Sequence, residues 1–84
     1  MTKEEIFAVI RKHMVATVDG LHESDIDPSR SMKELGANSL DIVEIVSVSM
    51  RELKIKVPRS ELTKLTNVAG LVDLLYGVAA QKPA

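Results

Sequence analysis

The chain of 84 residues predicts an all-α fold: a four-helix bundle of three long helices and one short helix, with a long first loop. Three observations predict it. Apolar residues recur at helical spacing in three separate segments, centred on Ile10, Val46 and Val72. Side chains suited to helix starts stand ahead of those segments. No stretch alternates apolar and polar residues as a half-buried strand would. Apolar residues make up 45% of the chain and aromatics only 2%, namely Phe7 and Tyr76, so the core has to be aliphatic and comparatively soft.

The first helix opens at a capping box, Thr2 with Glu5, and runs to about Val18. Ile6, Ile10, Met14 and Thr17 form its inward stripe with Phe7 beside them, and Asp19-Gly20 ends it. Residues 19–38 then make a connection longer than small domains usually keep without a purpose. Leu21, Ile26, Met32 and Leu35 are spaced to pin it to an apolar surface, Pro28 marks a turn, and Ser31 with Glu34 forms a second capping box around one helical turn that stops at Gly36. Leu40 to Leu53 is the second long helix. It has two apolar stripes: Ile42, Ile45, Val46, Ser49 and Leu53 on one side, and Leu40, Val43, Ser47 and Met50 on the other. A small bundle can bury the first and has little to cover the second, so Leu40, Val43 and Met50 are expected at a docking surface. Ile55-Lys56-Val57-Pro58 is extended, and a short helical piece follows around Ser60 to Leu65. Thr66 or Asn67 caps the last helix, which holds Val68, Leu71, Val72, Leu74 and Leu75; Gly77 closes it. Residues 1–78 thus read as one domain and residues 79–84 as a flexible C-terminal tail.

Composition excludes several functions. There is no cysteine, hence no disulfide frame, thiolate metal site or thiol nucleophile. His13 and His22 do not fall at a metal-ligand spacing, and no metal site is expected. Residues 1–38 carry five basic and seven acidic side chains and residues 39–84 six and five, without interleaved aromatics, which speaks against nucleic acid. No segment has the roughly 18 apolar residues of a membrane span. A soluble, cytoplasmic monomer is the expectation.

Ser39 is the residue of most chemical interest. It stands between the glycine-bearing loop Glu34-Leu35-Gly36-Ala37-Asn38 and a helix, where first-turn N–H groups and the helix dipole favour an anion. A phosphate ester on this protein would belong there. No base is evidently placed to activate Ser39, and so short a chain encloses no deep pocket, so no catalytic residue is expected.

Leu35-Gly36-Ala37-Asn38-Ser39-Leu40-Asp41, followed by Val43-Glu44-Ile45-Val46, resembles the attachment motif of acyl carrier proteins. The resemblance extends upstream through Ile26-Asp27-Pro28 and Ser31-Met32-Lys33-Glu34-Leu35. Downstream it runs through Val57-Pro58, Leu65-Thr66-Asn67-Val68 and Leu71-Val72-Asp73-Leu74-Leu75, so that it covers residues 4 to 76. It implies a bundle in which a phosphopantetheinyl transferase, using coenzyme A and magnesium, attaches phosphopantetheine to Ser39. Gly36, Asn38, Leu40 and Asp41 would surround that arm. Acyl groups would ride on its thiol and be presented to acyltransferase, ketosynthase or other acyl-processing enzymes; the carrier itself would catalyse nothing. The partner face would comprise Leu40, Val43, Glu44, Ser47, Met50 and Arg51.

Two departures bear on the pathway. Asn38 stands where aspartate is common, which loses a charge beside the serine. Ser49, Met50 and Arg51 stand where the fatty-acid carriers place acids, so docking should be more apolar and less salt-dependent. These features favour a free-standing carrier of a polyketide or other specialised pathway over the fatty-acid synthesis carrier. An aminoacyl or peptidyl carrier is an alternative, and so, from another class, is a non-covalent helical adaptor in which Ser39 only caps its helix.

Overall fold

The computed structural model describes residues 2–62 and 67–81. Helix α1 spans Lys3–Thr17, α2 Ser39–Leu53, α3 Arg59–Leu62 and α4 Val68–Gln81; one 3₁₀ turn, Glu23–Asp25, lies in the first loop. No strand occurs among the described residues. The architecture is all-α, with α1 packed against both α2 and α4.

The first helix starts as its sequence requires. The Thr2 hydroxyl accepts from the Glu5 N–H at 3.1 Å, and the Glu5 carboxylate accepts from the Thr2 N–H at 3.3 Å. Ile6, Ile10 and Met14 are fully buried, whereas Thr17 is only half-buried. Around that stripe gather Ile45 and Val46 of α2 and Val68, Leu71, Val72 and Leu75 of α4. Each such side chain contributes about 1.5–3 kcal/mol when withdrawn from water, which is how a core without a buried aromatic ring suffices.

The first loop is anchored as expected at Leu21, Ile26 and Met32, and Ala37 joins them at 3% exposure. Ser31 and Glu34 exchange their capping hydrogen bonds at 3.1 and 3.2 Å. The turn closes at Gly36, whose φ of 103° lies where a Cβ is strained. The loop also has a task the sequence did not disclose. Asp27 accepts from the Ser29 N–H and hydroxyl, at 2.9 and 2.7 Å, which holds its carboxyl below the usual value of 3.8. The turn built this way aims two carbonyls at the start of α4: Arg30 O accepts from Val68 N–H at 3.0 Å and Pro28 O from Ala69 N–H at 2.8 Å. Together with Asn67 Oδ1, which accepts from Gly70 N–H at 2.7 Å, they satisfy the orphan donors of that helix.

Three expectations change. Gly77 does not close α4, which continues to Gln81, so residues 79–81 belong to the helix and not to a tail. Val78 and Ala79 pack against the core, and that burial outweighs the roughly 1 kcal/mol preference against a helical glycine. Helix α2 begins at Ser39, one residue before the expected Leu40, and ends at Leu53 as expected but without glycine: Lys54 takes the left-handed conformation, φ 57° and ψ 40°, and its N–H reaches the carbonyls of Met50 and Arg51. Ile55 and Val57, buried on either side of exposed Lys56, hold the chain there. Third, α3 begins at Arg59, one residue earlier than expected. Its expected extension to Leu65, the Leu65-Thr66 part of the motif, the alternative cap Thr66 and residues 82–84 of the tail lie outside the described residues.

Candidate functional site

Ser39 is the first residue of α2 and is exposed. It does not cap the helix. The cap is Asn38, whose Oδ1 accepts from the Asp41 N–H at 2.8 Å, while an Asp41 carboxylate oxygen accepts from the Asn38 N–H at 3.2 Å. This reciprocal pair occupies both flanking side chains and leaves the Ser39 hydroxyl without a hydrogen bond among the described residues. The spacing Asn-x-x-Asp was present in the sequence as the signal; the reading of Ser39 as the cap overlooked it. In the adaptor alternative, too, the cap is Asn38 and not Ser39.

What holds the hydroxyl outward is the chain on either side. Gly36 turns the backbone under Val18, whose Cγ1 would lie 3.5 Å from any added Cβ, and Ala37 inserts into the core. The next two residues are thereby pushed to the rim, and Ile42 N–H closes the first helical bond onto Asn38 O at 2.9 Å. A phosphodiester on Ser39 would meet the positive end of a 15-residue helix, with Asp41 already committed to the cap. The residues present therefore suit such an ester: a free primary hydroxyl, a favourable dipole and no side chain stacked over it.

The neighbouring face of α2 is partly as expected. Leu40 is 81% exposed and Val43 53%, and Glu44 and Arg51 also face solvent. Met50 departs from expectation. It is half-buried and packs against the core beside Leu53, because position 50 turns inward next to buried Ser49. Ser47 is half-buried. The histidines are not brought to Ser39. His13 Nε2 lies 2.9 Å from Glu52 Oε1, in the last turn of α2, and Lys12 Nζ reaches the same carboxylate at 2.8 Å. These two contacts, the one from Lys12 foremost, hold the Glu52 carboxyl below its usual 4.5 and tie α1 to α2. His22 lies in the first loop, where its N–H donates to Asp25 at 3.0 Å. No helix among the described residues is long and apolar enough to cross a membrane.

The scaffold presents one unengaged serine hydroxyl at a helix start, beside uncovered Leu40 and Val43, a geometry that suits a carrier protein modified at a serine. The comparisons with known proteins agree. Residues 12–75 match the family described as "Phosphopantetheine attachment site". The chain is 33% identical over 76 residues to the polyketide biosynthesis acyl-carrier-protein AcpK of Bacillus subtilis (strain 168), covering 90% of this chain and 93% of that one. Among solved structures it is similar to the carrier in the crystal structure of the curacin biosynthetic pathway HMG synthase in complex with acetyl donor-ACP. That match has a TM-score of 0.76 and 32% identity, and covers 94% of this chain and 99% of the other. The chain belongs to the acyl carrier protein family, whose prosthetic group is a covalently attached phosphopantetheine.

Proposed function

We propose that Ser39 bears the phosphopantetheine arm and that the protein carries acyl groups as thioesters in polyketide biosynthesis. The observation that carries this reading is the Ser39 hydroxyl itself: exposed, unbonded and first in α2, while Asn38 does the capping. Gly36 and the Asn38–Asp41 pair hold that position, and Leu40 is the apolar surface beside it. When attached, the group supplies a flexible arm ending in a thiol, so that a tethered acyl chain is held at high effective concentration near each partner. The protein's own part is to fix the arm's root and offer a docking face, principally Leu40, Val43, Glu44 and Arg51, with Ser47 and Met50 at its edge. It performs no catalysis, and the carrier unit includes α4 through Gln81. Partners are a phosphopantetheinyl transferase and acyl-processing enzymes, met in the cytoplasm where coenzyme A is available.

The likeness to an acetyl-donor carrier over nearly its whole length supports a finer reading: delivery of a short acyl group, such as acetyl, to an HMG synthase. An aminoacyl cargo is the outcome that would redirect it, and the mass of the group on the arm distinguishes the two.

The test uses the absence of cysteine. Treated with a phosphopantetheinyl transferase and coenzyme A, the protein gains one titratable thiol and the mass of one arm. Ser39→Ala gains neither while keeping its helical circular dichroism. A thiol that still appears in Ser39→Ala, or none in the unmutated protein, overturns the assignment.

A further inference from the structure

The charged side chains of α2 are divided between two uses. Asp41 is taken by the cap and Glu52 by Lys12 and His13. The other two, Glu44 and Arg51, face solvent and have no ion-pair partner among the described residues. Both lie on one ridge with Leu40 and Ser47, at offsets of four, seven and eleven residues from Leu40, a spacing that stacks side chains along one helix face. From the Ser39 end, the ridge is apolar, then negative, then small, then positive. The rise per residue separates Glu44 from Arg51 by about 10 Å along the axis. Ser47 between them has little bulk, so a partner surface can lie flat across both.

We propose that Arg51 is a specificity-determining contact, pairing with a carboxylate on the rim of the acyl-processing enzyme that seats over Leu40 and Val43. The inference rests on Ser39 being the root of the arm. A ridge of a single sign can meet an oppositely charged rim in several registers, because sliding along the helix keeps attraction. A ridge whose sign reverses accepts one register, since a slide of two turns sets like charges face to face. That register decides where Ser39 lands relative to the partner's entrance. The occupant is taken to be an enzyme of the HMG synthase class, because the chain is similar to a carrier solved with such an enzyme, and its rim would carry a cation opposite Glu44 and a carboxylate opposite Arg51. A uniformly basic rim is rejected by Arg51. Because Arg51 also lies in the last turn of α2, where a cation suits the helix dipole, a purely structural role has to be separated from this one.

The experiment takes protein already bearing its arm, verified by thiol and mass, loads it with acetyl, and uses the curacin-pathway HMG synthase as the probe. Acetyl transfer is followed against carrier concentration. Arg51→Glu is expected to raise KM for the carrier roughly tenfold at unchanged kcat, Arg51→Gln less, and Arg51→Lys to restore most of the loss. Melting temperatures of the four proteins are measured alongside and should differ little. Equal KM values for unmutated protein and Arg51→Gln or Arg51→Glu overturn the role of Arg51, as does a KM that merely follows the melting temperature. An unmutated, acetyl-loaded protein that delivers nothing to the synthase overturns the partner. A protein that never gains its thiol fails earlier and by a different readout, and removes the carrier reading itself.

Discussion

Among the described residues Ser49 is the one buried polar side chain in the core, fully enclosed in α2, and its hydroxyl has no hydrogen-bond partner among them. Enclosing an unsatisfied hydroxyl costs about 1–3 kcal/mol relative to leaving it in water. Ser49→Ala removes that cost and adds about 0.5 kcal/mol of helix propensity. Against this stands the loss of the oxygen's dispersion contacts, a few tenths of a kcal/mol at about 0.1–0.2 per atom pair. The expected net change is a stabilisation of about 1–3 kcal/mol, which at about 4–8 °C per kcal/mol in a domain of this size raises the melting temperature by at least roughly 4 °C. Thermal melts should show it, and urea unfolding should show a higher midpoint at unchanged slope. A variant that is equally stable or less stable would falsify the reasoning. It would mean that in solution the hydroxyl turns to the carbonyl of Ile45, four residues back, and is satisfied there.

Asn38→Ala should cost about 1 kcal/mol in urea unfolding because it removes the cap of α2, whereas Ser39→Ala should stay within roughly 0.5 kcal/mol of the unmutated protein. The reverse order would return the capping role to Ser39. Gly36→Ala forces a Cβ into a positive-φ backbone and should cost about 1–2 kcal/mol; equal midpoints would show that the turn can relax. Glu52 has its carboxyl held below 4.5, so the stability it contributes is present above that pH and is lost as pH falls through the depressed folded-state value. Glu52→Gln should therefore flatten the decline in melting temperature below pH 4.5. An identical acid decline in both proteins would mean that the contacts of Lys12 and His13 do not persist in solution.

Much of this fold was legible residue by residue. The stripe Ile6, Ile10 and Met14, the two capping boxes at Thr2 and Ser31, and the loop anchors Leu21, Ile26 and Met32 all follow from short-range rules, and all are present. Errors arose where local signals compete. Gly77 signals a stop, but packing of Val78 and Ala79 carries α4 onward. The end of α2 at Leu53 was read correctly, but the left-handed Lys54 that makes it, held by the burial of Ile55 and Val57, carries no local signal. At the site, Ser39 and Asn38 are both competent caps, and only the geometry of the helix start shows that Asn38 takes the Asp41 N–H.

The amino-acid order alone determined the helical class, the aliphatic core, the position of Ser39 at the start of the second long helix, and the membership that its motif suggested. Those properties depend on spacing within a few residues, and covalent geometry transmits such spacing directly. Only the tertiary structure decided that Met50 turns inward, that Glu52 is shared by Lys12 and His13, and that the carbonyls of Pro28 and Arg30 cap the start of α4, about forty residues along the chain. Those outcomes depend on which surfaces meet, and that is set by competition among all the burials at once.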